Sequence, residues 1–573
     1  MKPFTRRDFV RGAALAAAAS ISRKGQAQPA TTGAPTPAPA GGPPRLRWLE
    51  GKSAGDAIGS TWGVPWKRGA HRKGTAFALR TTDGAAVPVQ TWETACWPDG
   101  SVKWTAHAIP ASAEQSENFV LDAGQPAAPA HPVDAIEDDN AVTLANGIVR
   151  CVIPKSGDVL IATLARGDRE TLANGRLVAL RQGSPDAAEA APVEPFTGRT
   201  EAVTIEQTGP VRATVKITGK HRGGADVMHT YDADRHVWRY DVGGYAWDNS
   251  ELSPDLWLWY SFLRTGDAGV FRLAEAMTRH TRDVDIYHAG RFAGLGSRHN
   301  VLHWGCSAKQ LRISTAAYRR FHYFLTADER TGDVLAEVTE ADRQLAELNP
   351  VRKVSRERAQ SEHTHIGVGT DWGSAAANWL TAWERTGDTR YGDWLRDAMR
   401  VIGGAEHGFF TGAFIFDPET KKLTVPANSR ISLSHLSAVF GLVEICAELI
   451  QLIDVPEFRK AWLQYCRLYN AAAAEQEAAL GRPMRGNSLR VGHSRLTAYA
   501  ASLENDPALA ERAWKEFAVV EWGPAPSIET VRLDGPQVLN PVDEARWVST
   551  NDSAQWSLAA IQNLALAGKA LGG

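Results

Sequence analysis

The chain has 573 residues, of which 43% are hydrophobic and 22% are charged. This composition is typical of a globular protein and not of a disordered or collagen-like one, and the length predicts about three or four domains. No apolar run approaches the roughly 20 residues needed to cross a bilayer, which argues against a membrane span. The near-balance of 63 Lys and Arg with 65 Asp and Glu argues against nucleic acid as the main partner.

The first 27 residues have the pattern of an export signal. The pair Arg6-Arg7 and the nearby Phe9 precede a weakly apolar stretch at 12–21, and small residues around Ala27 offer a cleavage site. This pattern predicts a twin-arginine signal peptide over 1–27, the twin-arginine export machinery as a partner, and a periplasmic or secreted location. Residues 28–44, rich in Pro and Ala, predict a linker without a core of its own.

The cysteines agree with export of a folded chain. There are five of them, an odd number, and they lack CxxC spacing. They therefore predict neither a disulfide framework nor a zinc–thiolate site. Cys446 and Cys466 fall in helical patterns, where buried thiols are expected.

The first half of the mature chain reads as short strands separated by turns. The Pro- and Ala-rich segment 123–132 divides it into two β domains, predicted over 45–122 and 133–250. Hairpin-type turns are predicted at Asp83-Gly84, Asp99-Gly100 and Asn146-Gly147. The predicted strands have apolar residues at alternate positions and cover 87–92, 141–144, 148–153, 203–205, 213–217 and 236–242.

The second half, predicted as one domain over 252–573, has helical periodicity. Apolar residues recur at i, i+3 and i+4 in 375–385, 395–402, 433–453 and 458–473. The tetrapeptide Arg-Thr-Gly-Asp occurs at 264–267, 330–333 and 385–388. It suits a turn between helices, because Arg faces the negative helix end, Gly supplies a left-handed cap and Asp caps the next helix. Repeated helical hairpins after β domains predict an α/α toroid, with a plain helical bundle as the alternative.

Polar residues able to do chemistry concentrate in two stretches of the helical half. In the first, His299 and His303 are four residues apart and would share a face of a helix. The second runs from Glu362 to Gly373. The residues of interest are Arg298, His299, Asn300, His303, Trp304, Lys309 and Arg312 in the first stretch and His363, His365 and Asp371 in the second, with Tyr287 as a further candidate.

Two kinds of site fit these residues. The spacings HxxxH and HxH are compatible with metal ligands, but no Glu of the HExxH kind accompanies them. Arg and Lys beside the His residues favour instead an anion site next to an aromatic sugar platform. We therefore predict neither a metal ion nor another cofactor, and an acidic oligo- or polysaccharide as the substrate.

Three segments resemble the exo-rhamnogalacturonan lyase family (polysaccharide lyase family 26-like). They are Trp97-Pro-Asp-Gly-Ser-Val-Lys-Trp104, Arg291-Phe-Ala-Gly-Leu-Gly-Ser-Arg-His-Asn-Val-Leu-His-Trp304 and Tyr318-Arg-Arg-Phe-His-Tyr-Phe-Leu325. The resemblance extends over most of the chain from about residue 46. It implies an N-terminal RIFT-type barrel, a β-sandwich-like second domain and a catalytic α/α toroid. It also implies exo-cleavage of a rhamnose–uronate backbone by β-elimination.

Elimination across C4–C5 of a uronate needs a positive charge on the carboxylate, a base and an acid. Arg298, Lys309 or Arg312 would supply the charge. His303 or His299 would be the base, with His363 as the other member of the pair. Substrate contacts are assigned to Arg298, Asn300, Trp304, Lys309, Arg312, His365 and Tyr287.

Two other functions stay open at this point. A glycoside hydrolase on the same scaffold would need two opposed carboxylates about 5–10 Å apart, with Glu362, Asp371 and Asp552 as candidates. A non-catalytic carbohydrate-binding protein would use the tryptophans of the β half.

Overall fold

A computed structural model describes 42–51, 59–110, 116–182, 193–221, 252–290, 292–296, 310–348, 363–433, 436, 438–482, 484, 489–519, 530–536, 541–545 and 550–571. These residues form two compact units. One unit holds the described strands up to residue 221 together with residues 324–327. The other holds the rest of the described chain from residue 252 onward.

The β unit begins with two small antiparallel sheets. Their strands are β1 (Arg45–Arg47), β2 (Ser60–Pro65), β3 (Phe77–Thr81), β4 (Ala86–Val87), β5 (Gln90–Cys96), β6 (Val102–Ile109) and β7 (Asn118–Ala123). The sheet orders are β1-β7-β3-β4 and β2-β6-β5. Alternation along β3 buries Phe77 and Leu79, which join Phe119 and Leu121 in the core of this domain.

One strand prediction in this domain was wrong. The alternating run 87–92 predicts a single strand, whereas β4 ends at Val87 and β5 begins at Gln90. Pro88 interrupts the run, because proline has no amide hydrogen to donate to a neighbouring strand.

The second half of the β unit contains a five-stranded and a three-stranded antiparallel sheet. The strands are β8 (Asp134–Glu137), β9 (Ala141–Ala145), β10 (Val149–Pro154), β11 (Ile161–Arg166), β12 (Arg169–Gly175), β13 (Val178–Gln182), β14 (Val193–Thr208) and β15 (Ala213–His221). Their orders are β12-β11-β10-β9-β8 and β13-β14-β15. The predicted turn between β9 and β10 is confirmed: Gly147 has a φ of 79°, and the Asn146 side chain accepts hydrogen bonds from the amides of Ile148 and Val149. The predicted strand 236–242 lies outside the described residues.

The helical unit alternates between largely buried helices and helices with one exposed face. We call the first group inner helices: α1 (Pro254–Thr265), α3 (Arg320–Thr326, of which residues 320–323 belong to this unit), α5 (Gly373–Thr386), α7 (Leu442–Leu452), α10 (Arg490–Glu504) and α12 (Thr550–Ala567). The second group are the outer helices α2 (Ala268–Asp283), α4 (Glu329–Glu337), α6 (Thr389–Gly404), α8 (Pro456–Leu468) and α11 (Pro507–Phe517), and a short helix α9 covers Ala473–Leu480. One large core, which includes Trp372, Trp379 and Trp462, runs through the unit. No helix in the described parts of the chain is both long and apolar enough to span a bilayer.

Short strands accompany the helices. They are β16 (Thr364–Gly367), β17 (Ala413–Phe416) and β18 (Leu423–Thr424), which form one sheet, and β19 (Thr530–Leu533) and β20 (Val542–Ala545), which form another. The four cysteines that the structure describes, Cys96, Cys151, Cys446 and Cys466, are free. Cys446 and Cys466 are buried, as predicted.

The repeated tetrapeptide has its predicted role at two of its three positions. Gly266 and Gly387 are left-handed caps of α1 and α5, and Asp267 and Asp388 cap the helices that follow. The prediction for 330–333 was wrong. These residues lie inside α4, because Asp328 already accepts the Thr331 amide and starts the helix earlier.

The helix predicted over 433–453 was wrong in its first part. Helix α7 begins only at Leu442, because Gly441 before it has a φ of 89°, outside the helical region.

Candidate functional site

The connections of the helical unit differ in length according to their direction. Passing from an inner to an outer helix takes only a few residues, as at Gly266-Asp267 and Gly387-Asp388. Passing from an outer helix to the next inner helix takes long segments, at 284–319, 338–372 and 405–441. The first two of these contain the two stretches of candidate residues. The candidates therefore precede the N-terminal ends of inner helices.

Hydrogen bonds join the N-terminal parts of the inner helices to one another. Ser253, at the start of α1, donates its hydroxyl to the carbonyl of Val439 before α7, and the Tyr318 hydroxyl before α3 lies 3.1 Å from the same Ser253 oxygen. The remaining bonds each cross between two such helix starts: Gln555 Nε2 to Leu252 O (2.6 Å), Arg495 Nη2 to Ala438 O (2.9 Å) and Ala316 N to Asn378 Oδ1 (2.6 Å). The inner helices thus begin at one end of the unit, where their positive dipole ends converge.

The connection 284–319 contains a small backbone ladder. Gly296 and Gln310 exchange two hydrogen bonds, of 2.9 and 2.8 Å, and Ile286 pairs with Gly296 on its other side. Next to it the Tyr287 amide donates to Leu295 O over 2.9 Å. We call this three-part arrangement the ladder. A Cβ on Gly296 would lie 2.4 Å from Cβ of Ile313, so only glycine fits there.

The two sequence stretches come together at their described ends. A 3₁₀ turn, Leu311–Ile313, lies against the π-helical turn Val368–Trp372 that leads into α5. Arg312 in the first turn is buried, donates its Nε to the Gln310 side chain and lies 4.9 Å over the ring of Phe440. Asp371 in the second turn is also buried, and its carboxylate accepts from the Gly367 amide and the Thr370 hydroxyl.

His363 immediately precedes β16, and His365 is the second residue of that strand. They are two residues apart and exposed, whereas Ile366 is buried in the core. Alternation along a strand therefore turns both imidazoles to the same side. Backbone pairing with β17, in which His365 opposes Ile415, fixes their register.

Of the other candidate residues, some are buried in the described structure and the rest lie outside the described residues. Tyr287 is described and buried. Arg298, His299, Asn300, His303, Trp304 and Lys309 lie outside the described residues, as does Glu362, and their roles stay predictions. Of the carboxylates considered for hydrolysis, Asp552 is half-buried in the first turn of α12. In the described ranges, no group of three or more His, Cys, Asp or Glu side chains is arranged to hold a metal ion.

Sequence reasoning missed the two carboxylates and the arginine of a charged cluster beside the ladder. It consists of Asp255 in the first turn of α1, Arg319 just before α3, and Asp285 with His280 at the end of α2. Burial raises the pKa of Asp255 to about 7, and the hydrogen bond that the His280 ring donates to the Asp285 carboxylate raises the pKa of His280. Ser253-Pro254-Asp255 has the residues of a helix start, and this is the one sequence signal that marks Asp255.

The arrangement favours an anionic ligand at the end where the inner helices begin. Their converging N-termini attract negative charge, and Arg312 brings a cation to the same region. The exposed imidazoles of His363 and His365 belong to the side-chain type most often used for general acid–base catalysis.

Comparison with known families matches three domain models in succession. Residues 43–124 match the PcRGLX-like N-terminal RIFT barrel domain, residues 133–251 the PcRGLX-like protein central beta sandwich domain, and residues 222–572 the PcRGLX-like protein C-terminal alpha/alpha toroid domain. Among curated proteins, the chain is similar to Uncharacterized protein YetA of Bacillus subtilis (strain 168), with 39% identity over 355 residues. That match spans 60% of this chain and 40% of the relative's length.

Proposed function

Since the chain belongs to the PcRGLX-like, rhamnogalacturonan lyase-like family, we propose that it is an exported, exo-acting polysaccharide lyase. Its substrate is a uronate-containing, rhamnogalacturonan-like glycan, which it cleaves by β-elimination. The observation that carries the proposal is the match of all three family domains in order, with the toroid model covering residues 222–572.

The reaction removes the C5 proton of the uronate and breaks the bond between C4 and the glycosidic oxygen. The electron pair of the C5–H bond becomes the C4–C5 double bond, and the departing oxygen takes up a proton. Arg298, Lys309 or Arg312 neutralises the carboxylate, which makes the C5 proton more acidic. His303 or His299 accepts that proton, and His363 donates one to the leaving oxygen.

The geometry around the described candidates supports this assignment. The turn that holds Arg312 packs against the turn that follows β16, so the two stretches needed for one site are neighbours. Helix N-termini converge on the same end of the unit, and their dipoles add to the attraction for a carboxylate. His363 and His365 are solvent-exposed, so a substrate can reach both imidazoles.

The product distinguishes this reaction from its alternatives. The full chain is incubated with rhamnogalacturonan oligosaccharides and other uronate-containing glycans, and near-ultraviolet absorbance and reducing ends are followed together. A lyase produces both signals, because each cleavage creates a conjugated unsaturated uronate. New reducing ends without absorbance would show hydrolysis, and binding without either signal would show a carbohydrate-binding protein. Release of one small product from the first minutes indicates exo action.

We also propose that the signal peptide predicted over 1–27 directs this activity outside the cytoplasm. An exported lyase meets polymeric substrate where it occurs, and folding before export suits a chain whose four described cysteines are free.

A further inference from the structure

Arg319 connects the two ends of the segment 284–319. Its side chain is fully buried. The guanidinium donates to the carbonyl oxygens of Thr315 (2.8 Å), Ile313 (2.9 Å) and Thr281 (3.0 Å). Thr281 lies in the last turn of α2, before the segment, whereas Ile313 and Thr315 lie near its end.

The ladder packs directly against Ile313, one of the three residues whose carbonyl oxygen accepts from Arg319. A Cβ on Gly296 would lie 2.4 Å from Cβ of Ile313 and 3.2 Å from the carbonyl oxygen of Asp285. Gly296 is hydrogen-bonded to Gln310, whose side chain accepts from Arg312. A displacement of Ile313 would therefore move Gly296 and, through Gln310, the Arg312 side chain.

The charges around Arg319 offset the cost of burying it. Asp255 is 0% exposed and Asp285 6% exposed, and both interact electrostatically with the guanidinium. Apolar side chains would fill such a volume at equal or lower cost in free energy. What a guanidinium adds is a rigid fork of donors that orients several acceptors at once. Here the acceptors are three carbonyls from two separate parts of the chain.

We propose that Arg319 is a positioning residue of the lyase site, which fixes the ladder and the orientation of Arg312 through its three carbonyl contacts. This inference rests on the proposed function, since Arg312 belongs to the site assigned there. Arg319 itself does not contact the substrate.

The test replaces Arg319 by Lys, which keeps the charge but cannot reach three carbonyls together. The control is Arg320→Lys: Arg320 is also a buried guanidinium, but its partner is the Glu448 carboxylate on α7. We expect Arg319→Lys to lower kcat by about 10²-fold with a smaller change in KM, because small misplacements of a binding group have effects of that order. Arg320→Lys should keep kcat per folded molecule within about threefold of wild type.

Hydrogen exchange gives a second readout that does not depend on activity. In Arg319→Lys, the amides of Gly296 and Gln310 should exchange faster, while amides in the middle of α5 keep wild-type protection. Should Arg319→Lys fail to fold, Asp285→Asn, which removes a counter-charge of Arg319, is measured in the same way and with the same expectation.

Three outcomes would overturn the proposal: unchanged exchange at Gly296 and Gln310, an unchanged kcat, or an equal loss of kcat in Arg320→Lys. If the wild-type chain has no lyase activity while Arg319→Lys shows the expected exchange at Gly296 and Gln310, the proposed function is refuted and the role of Arg319 in fixing the ladder is supported.

Discussion

Arg385 donates a hydrogen bond from Nη1 to the carbonyl oxygen of Gly332 at 2.9 Å. Each residue belongs to a copy of the Arg-Thr-Gly-Asp tetrapeptide, so two copies 55 residues apart in the chain are in contact. The Arg385 guanidinium also lies 4.4 Å over the ring of Tyr323. Arg264, in the same position of the first copy, is exposed.

This difference predicts unequal effects of the same substitution. Arg385→Met should lower the free energy of unfolding by about 1–3 kcal/mol, since it removes a charged hydrogen bond and a cation–π contact. Arg264→Met should change it by less than about 0.5 kcal/mol, as is usual for surface positions. Denaturant unfolding of both variants checks this, and equal losses would refute the assignment.

The buried ion pair between Lys421 and Asp342 predicts a larger loss of stability. The two side chains are 0% and 1% exposed and 2.6 Å apart, and the pair ties the turn before β18 to the connection that leads into β16. Lys421→Met leaves Asp342 without its buried counter-charge and should cost about 3–5 kcal/mol. The exposed neighbour provides the control Lys422→Met, for which little change is expected. The double variant Lys421→Met/Asp342→Leu should recover most of the stability; a double variant as unstable as the single one would contradict this account.

Asp255 predicts a dependence of stability on pH. Burial raises its pKa to about 7 in the folded chain, from 3.8. An acid with a raised pKa contributes most to stability below its unfolded pKa, and that contribution falls as the pH rises to the folded value. Asp255→Asn mimics the protonated form. The unfolding free energy of this variant, relative to that of wild type, should therefore increase by about 1.4 kcal/mol per pH unit between about pH 4 and pH 7. Calorimetry at several pH values measures the difference; a difference independent of pH would refute the raised pKa.

His303→Ala should lower turnover by about 10²–10⁴-fold, the usual contribution of a general acid or base. His288→Ala is a matched control, since His288 pairs with Glu337 at the surface and has no role in the proposed reaction. Melting curves accompany the kinetics. A His303→Ala chain that melts early but turns over normally when folded would make His303 structural, and His363 would become the leading base.

Replacing Arg6 and Arg7 by Lys should keep the protein in the cytoplasm, because a receptor reads the paired arginines. Fractionation of cells that express either form measures this. Normal yield of the double-Lys variant in the periplasm would exclude the twin-arginine route.

Local sequence patterns predicted much of the architecture. The Asn146-Gly147 turn, the caps at Gly266 and Gly387 and the helices around 375–385 and 395–402 were predicted correctly, because each depends on residues within one or two turns of the chain. Pairs of helices with short connections were visible for the same reason, as was the burial of Cys446 and Cys466. Three motifs sufficed to indicate the family that the domain matches show.

Local patterns failed where a distant or neighbouring residue outweighed the periodicity. Asp328 caps α4 before the Arg-Thr-Gly-Asp copy at 330–333, so this copy lies inside the helix. Gly441 has a non-helical φ, so α7 begins only at Leu442 although the apolar spacing begins at residue 433. The cluster of Asp255, Asp285 and Arg319 had no distinctive spacing, since its members are separated by up to 64 residues and meet only through the packing of α1, α2 and the turn before α3. Sequence distance carries no information about which charges will share a buried volume. The balance of desolvation against pairing that gives Asp255 its raised pKa exists only once these segments are folded together.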